Sequence, residues 1–321
     1  MKTILLAATL LIGLLAGTAP SQAQEQQPVL VVTGLQATFS ITSALARDTG
    51  ILVRNLPARP TPMAAQKLML GRSDAEALGL LDAATAVVTL GAVWPQDPLF
   101  AVARARNIRV VEIDASRPLS GGRSGVAEIA APASIAAWRD PAPQERADGV
   151  SPFVWLSVSN GVRMAEIVAE DLIRLVPDQA ETISANLGAF TDELRSIRSE
   201  FETRFAALPD PRVYALSPSF IYMTNEVGVF VEGYFLEQDI RWTEADHAGL
   251  TALLRSDDIG VVIHQWQPAA PIAAAIEAAG AQLLVLQSGD PGQPDDSGAL
   301  PANGYQTLLR ANLEALLQAL G

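Results

Sequence analysis

Two histidines and no cysteine limit what this chain of 321 residues can do chemically. A bound transition metal needs about four nitrogen, sulfur or carboxylate donors in one shell. Without cysteine there is neither a thiolate site nor a disulfide. His247 follows Asp246 in a helical pattern and is expected to face solvent. His264 ends the apolar run Ile259–Ile263. It would therefore sit at the C-terminal end of a strand, where sites gather, although a lone histidine there is often structural. The motifs G-x-S-x-G, G-x-x-x-x-G-K-[ST] and H-E-x-x-H are absent from the sequence. Gly121-Gly122-Arg123-Ser124-Gly125 adjoins Arg117 and Pro118 rather than joining a strand to a helix, and reads as a turn. No catalytic residues, resident metal or cofactor emerge, and an enzyme is not expected.

The ends and the charge narrow the class. Lys2, the apolar run Ile4–Ala16 and the small-x-small triplet Ser21-Gln22-Ala23 read as a secretory signal peptide over residues 1–23, which makes the periplasm the expected location. That run is too short to span a bilayer, and no other stretch approaches the ~20 apolar residues a span needs. A membrane-embedded protein is not expected, and without cysteine a lipidated anchor is not expected either. A formal net charge of −13, with no basic stripe interleaved with aromatics, argues against a nucleic-acid partner.

Any site must be positioned by alternating strands and helices. Val29–Val32, Ile51–Leu56, Thr85–Leu90 and Ile108–Ile113 are strand-like, and Asp97–Arg106 is helical between the last two. Alternation of this kind predicts parallel βαβ units. Residues 115–150 lack periodicity and read as a long surface loop with at most one short helix. Met164, Ile167, Val168, Leu172 and Leu175 mark one helical face. Ile183, Leu187, Phe190, Leu194, Ile197, Phe201, Phe205 and Leu208 mark a second helix from about Asp178, roughly 40 Å long at 1.5 Å per residue. The βα rhythm then resumes with strands at Val213–Leu216, Ile259–Ile263 and Gln282–Leu286. Thr243 and Pro271 open helices, and a closing helix spans Tyr305–Leu320. The expected fold is α/β: two lobes of parallel sheet flanked by helices, joined by one long rigid helix, with a ligand crevice between the lobes. The divisions are 24–177, the bridging helix 178–208, and 209–321.

Several segments in this order carry a resemblance. Ser151-Pro152-Phe153-Val154-Trp155-Leu156-Ser157 is similar to D-P-H-x-W-L-D, and Ser217-Pro218-Ser219-Phe220-Ile221-Tyr222 to H-x-x-[FL]-x-Y. Ile263-His264-Gln265-Trp266-Gln267 is similar to a strand ending in E-P-Q, Leu286-Gln287 to L-D, and Tyr305–Leu320 to a closing Y-x-x-[ML] helix. Together with the long helix, they resemble the periplasmic zinc- and manganese-binding proteins of ABC importers. The resemblance implies a monomeric solute-binding protein that serves a membrane permease. The metal ligands of that family are replaced here. Its first histidine falls near Pro60-Thr61 or Pro62-Met63, its second on Phe153 and its third on Ser217, while its acidic positions fall on Gln265 and Gln287.

Aromatic faces, amides and hydroxyls suit an organic ligand or a metal already wrapped in a chelator better than a bare ion. The expected ligand-binding residues are Met63, Trp94, Phe153, Ser217, Tyr222, His264, Gln265, Trp266 and Gln287. Packing between the lobes would account equally well for the aromatics. Two alternatives stand beside this reading. One is direct divalent-metal binding through His264, Asp290 and Glu226. The other is a ligand-less accessory or sensor protein on the same scaffold.

Overall fold

A computed structural model describes residues 28–122, 124–139, 144–146 and 149–321; the signal-type segment lies outside them. The first lobe runs β1 (Leu30–Thr33), α1 (Gln36–Leu45), β2 (Leu52–Asn55), α2 (Met63–Leu70), α3 (Ala75–Ala83), β3 (Ala86–Thr89), α4 (Leu99–Arg106) and β4 (Val111–Asp114). Its strands pair in parallel in the order β2-β1-β3-β4. The central strands Leu-Val-Val-Thr and Ala-Val-Val-Thr are buried throughout, whereas the edge strands alternate or face outward. Helices on both faces of a parallel sheet select such continuous β-branched runs.

The connection to the second lobe is not the expected irregular loop. It contains a hairpin of β5 (Ala133–Ile135) and β6 (Gln144–Arg146), and none of its described residues is helical. It crosses to the second lobe and is fastened there. The Trp138 indole donates to Asp246 Oδ1 at 2.9 Å, and Arg139 donates to the same carboxylate at 2.8 and 2.7 Å. Trp138 also lies so close to Gly249 that a Cβ there would fall 2.1 Å from its ring. The apolar residues that anchor this segment, Val126, Ile129, Ala136 and Trp138, are irregularly spaced, which periodicity does not detect.

Two antiparallel helices form the spine, α5 (Val158–Leu175) and α6 (Ala180–Phe205). The second begins after a 3-10 turn at Pro177–Gln179, slightly inside its expected limits. Ile183, Phe190, Leu194, Ile197, Phe201 and Phe205 are its buried stripe, each worth roughly 1.5–3 kcal/mol of burial.

The second lobe comprises β7 (Arg212–Ala215), α7 (Ile221–Glu226), β8 (Phe230–Tyr234), α8 (Glu244–Ser256), β9 (Val261–His264), α9 (Ala270–Ala278), β10 (Gln282–Val285) and α10 (Gly304–Leu320). Its parallel strands lie in the order β8-β7-β9-β10. Numbered within its own lobe, each sheet therefore reads 2-1-3-4. The chain reverses direction across the sheet between strands 1 and 3, and ligands collect beyond the strand ends at such a switch point. One core cluster runs through both lobes, from Val31 and Ile41 through Trp155 and Phe201 to Ile263 and Tyr305. The Tyr305 hydroxyl, wholly buried, donates to the Trp155 carbonyl at 2.7 Å. Glu226, at the end of α7, caps α5 by accepting the Ser159 N–H at 2.8 Å. The strands expected from sequence are present within a few residues; β8, α2 and α3 are additional to them. Among the described residues no helix is long and apolar enough to cross a membrane.

Candidate functional site

The switch point of the second lobe lies beyond β7 and β9, and its polar groups are already linked. Ser217, one residue beyond the β7–Leu216 run, and Ser219 both donate to Gln265 Oε1, at 3.2 and 2.6 Å. The turn Ser217-Pro218-Ser219 brings the two hydroxyls 3.1 Å apart. Ser219 is not among the residues expected at the site; its signal is the spacing of two around a proline, which folds the second hydroxyl back on the first. Gln265 is partly exposed, and Trp266 is 46 % exposed beside it. His264 is only 3 % exposed, its Nδ1 has no hydrogen-bond partner, and its ring centroid is 4.3 Å from that of Trp266. Burial lowers its pKa to about 4 against the upward pull of Asp239, so the imidazole is neutral at pH 7.

A second group of the expected residues is held by α2 and the loop after β10. The Met63 N–H, at the first position of α2, donates to Asp290 Oδ1 at 2.7 Å and joins the two lobes. Met63, Gln66 and Leu70 are the buried face of α2. Gln66 donates to the Gly34 carbonyl at 2.8 Å, and its own carbonyl oxygen has no partner. Its spacing of three from Met63 could have placed it on the same face from sequence. Phe153 meets Trp155 edge-on with centroids 5.3 Å apart, and the Trp155 indole donates to the Ser288 carbonyl at 2.8 Å, two residues from Asp290. Directly after Asp290 in the chain, a cavity of about 760 Å³ opens between Ala58-Arg59-Pro60, after β2, and the loop from Pro291 to Ala299, after β10. That volume is in the range of small-molecule sites.

Several of the residues singled out from the sequence are placed differently from the expectation. Tyr222 is buried and its hydroxyl is committed, accepting from the Ile129 N–H at 2.9 Å and donating to the Ser151 carbonyl at 3.1 Å; it holds the linker rather than a ligand. Gln287 is exposed, and the carboxylate set against Met63 is Asp290, three residues further on. Glu226 is committed to the N-terminus of α5 and does not join His264 and Asp290. Among the described residues no group of three or more histidine, cysteine, aspartate or glutamate side chains is placed to hold a metal ion. Trp94 is buried in the core cluster that spans both lobes. His247 is half-buried and stacked on Trp242 at 5.6 Å, not solvent-facing.

Asp290 is kept ionised at a cost. Burial raises its pKa to about 6, against the lowering effect of the Met63 N–H. A carboxylate raised in the folded state favours folding below its unfolded pKa of about 3.9 and loses that advantage as pH rises through 6. Asp290→Asn keeps an acceptor for Met63 without the charge. Relative to the unaltered chain, it is expected to be neutral near pH 4 and more stable by about 2 kcal/mol above pH 7. Urea titrations across that range measure it; a pH-independent difference would contradict the burial of this charge.

Residues 73–319 match the family model described as zinc-uptake complex component A, periplasmic. The chain is 31% identical over 108 residues to the manganese-binding lipoprotein MntA of Halalkalibacterium halodurans, a match covering 34% of each chain. It is 28% identical over 183 residues to the high-affinity zinc uptake system protein ZnuA of Paracoccus denitrificans, covering 54% of this chain and 52% of that one. The matched region thus spans between about a third and a half of these relatives. In fold it is similar to a solved mutant of FpvC from Pseudomonas aeruginosa, with a TM-score of 0.71 at 19% identity, covering 91% of this chain and 99% of that one. With the family model extending from the first lobe to the closing helix, the chain belongs to the family of periplasmic component A proteins of zinc-uptake complexes.

Proposed function

We propose that the chain is the periplasmic solute-binding component of a metal-type ABC importer, and that its crevice takes a metal chelate or another small organic ligand rather than a bare divalent ion. The observation that carries the reading is the composition of the crevice. Met63, Phe153, Ser217 and Gln265 occupy the positions that the resemblance gives to the family's metal donors, and Asp290 is the carboxylate that Met63 meets. A thioether, a phenyl ring, a hydroxyl and a neutral amide form no Zn²⁺ or Mn²⁺ shell. They do suit the apolar and hydrogen-bonding parts of an organic molecule, with Asp290 facing a donor or cationic group. The adjacent cavity gives such a molecule room. The relatives' names, manganese-binding and zinc uptake, support the transport class, and the signal-type N-terminus supports the compartment. A membrane permease is the partner this role requires.

Native mass spectrometry with metal analysis, on protein purified gently from its own periplasm, tests the reading. A bound organic or metal–organic mass is expected. A stoichiometric bare metal ion would overturn it. Protein that stays empty, and gains no mass from periplasmic extract, would favour a ligand-less accessory role.

A further inference from the structure

A second cavity, of about 680 Å³, lies where α1, β2, α6 and the start of α10 meet. It shares no lining residue with the crevice, so its chemistry is independent of the transport reading. Its apolar wall includes Leu52, exposed on the edge strand β2, and Phe190, buried on α6. Gln306 closes one side. It is more than nine-tenths buried, and its amide nitrogen donates to Glu193 Oε2 at 3.3 Å. Turning that amide over would set two oxygens against each other, so the orientation is fixed. The Gln306 carbonyl oxygen is left buried with no partner. A buried acceptor without a donor is costly unless something supplies one.

The charge around this cavity runs against that of the chain. Arg47 and Arg54 both line it, with Glu193 as the one carboxylate in its wall. Among the described residues the Arg47 guanidinium has no hydrogen-bond or ion-pair partner, and that of Arg54 bonds only the Val53 carbonyl, at 2.9 Å. On a protein of net charge −13, two uncommitted guanidinium groups flanking an apolar wall are a local field suited to an anion.

We propose that this cavity is a second ligand site, for an amphipathic organic anion carrying one N–H or O–H donor. The anionic group pairs with Arg47 and Arg54, the apolar body lies on Leu52 and Phe190, and the donor satisfies Gln306. Elements distant in sequence build the cavity, so occupancy ties the first lobe to α6 and α10.

The probe is 8-anilinonaphthalene-1-sulfonate, which has an aromatic body, a sulfonate and one N–H, and which fluoresces on leaving water. Saturable one-site binding to the full chain is expected. Arg47→Glu/Arg54→Glu is expected to weaken it at least tenfold, and Gln306→Leu several-fold. Arg72→Glu/Arg109→Glu makes the same change in net charge on exposed residues elsewhere and is expected to leave binding unchanged. Both arginines of the cavity reach solvent, and circular dichroism verifies that the charge-reversed protein is folded. Absence of saturable binding would overturn the proposal. So would equal weakening by both double variants, or no weakening by the reversal within the cavity.

Discussion

Met63→His/Phe153→His/Ser217→His, made together, is expected to turn this chain into a zinc binder, with affinity raised by about three orders of magnitude or more. Tight zinc sites gather about 10–16 kcal/mol from four donors. The chain already holds one of the four, Asp290, whose carboxylate lies 2.7 Å from the Met63 backbone nitrogen. Ser217 lies at the switch point beyond β7, and Phe153 is packed on the tryptophan that bonds the loop leading into Asp290. Three imidazoles and one carboxylate would complete a tetrahedral shell. Since imidazole must be neutral to bind, the gained affinity should fall as pH drops below about 6.5. Competition against a zinc chelator at about pH 7.5 and about pH 5.5, one on each side of that value, reads both effects. If affinity did not change, the three positions would not converge, and the crevice would not be a remodelled metal site.

The second large effect concerns rigidity. Gly161→Ala should destabilise the protein by about 3 kcal/mol, although alanine favours a helix over glycine by about 1 kcal/mol. The new Cβ would lie 2.2 Å from the Tyr305 hydroxyl and 3.0 Å from its Cζ. Tyr305 has nowhere to retreat, being wholly buried and bonded to the Trp155 carbonyl. Tyr305→Phe alone should cost about 1–2 kcal/mol, from the carbonyl left without a donor. The two changes together should cost less than their sum, because the hydroxyl is the nearest obstacle. A double-mutant cycle by denaturant titration measures that coupling; strict additivity would show that α5 and α10 are not in this contact.

The alternation of β-branched runs with helical patterns is enough to place both sheets, and the apolar stripe from Ile183 to Phe205 is enough to place the spine. The elements that periodicity misses do so for physical reasons. Phe230–Tyr234 has a glycine near its end and sits at a sheet edge with an irregular register, so it lacks the buried run that marks β7 and β9. Helices α2 and α3 are short, and their buried faces hold few residues. The shared 2-1-3-4 order of the two sheets leaves no mark in the sequence, because strand order is set by pairing and not by local pattern. At the site, the turn Ser217-Pro218-Ser219 and the reach of Asp290 to Met63 depend on backbone paths that residue types do not specify. For that reason the carboxylate that meets Met63 is Asp290, three residues beyond Gln287.

The crossing segment that ends at Trp138 and Arg139 bears on how the molecule assembles in time. The staple for α8 is made before α8 itself, whereas the core around Trp155 waits for Tyr305, in α10. Neither lobe can finish alone: the second lacks its clasp without residues upstream of α5, and the first lacks a wall until α10 arrives. Such interleaving makes many closing contacts distant along the chain, and distant contacts form slowly. A partly emerged chain would remain open until α10 is available. Folding would then be a single late event, with both lobes gained or lost in one cooperative step.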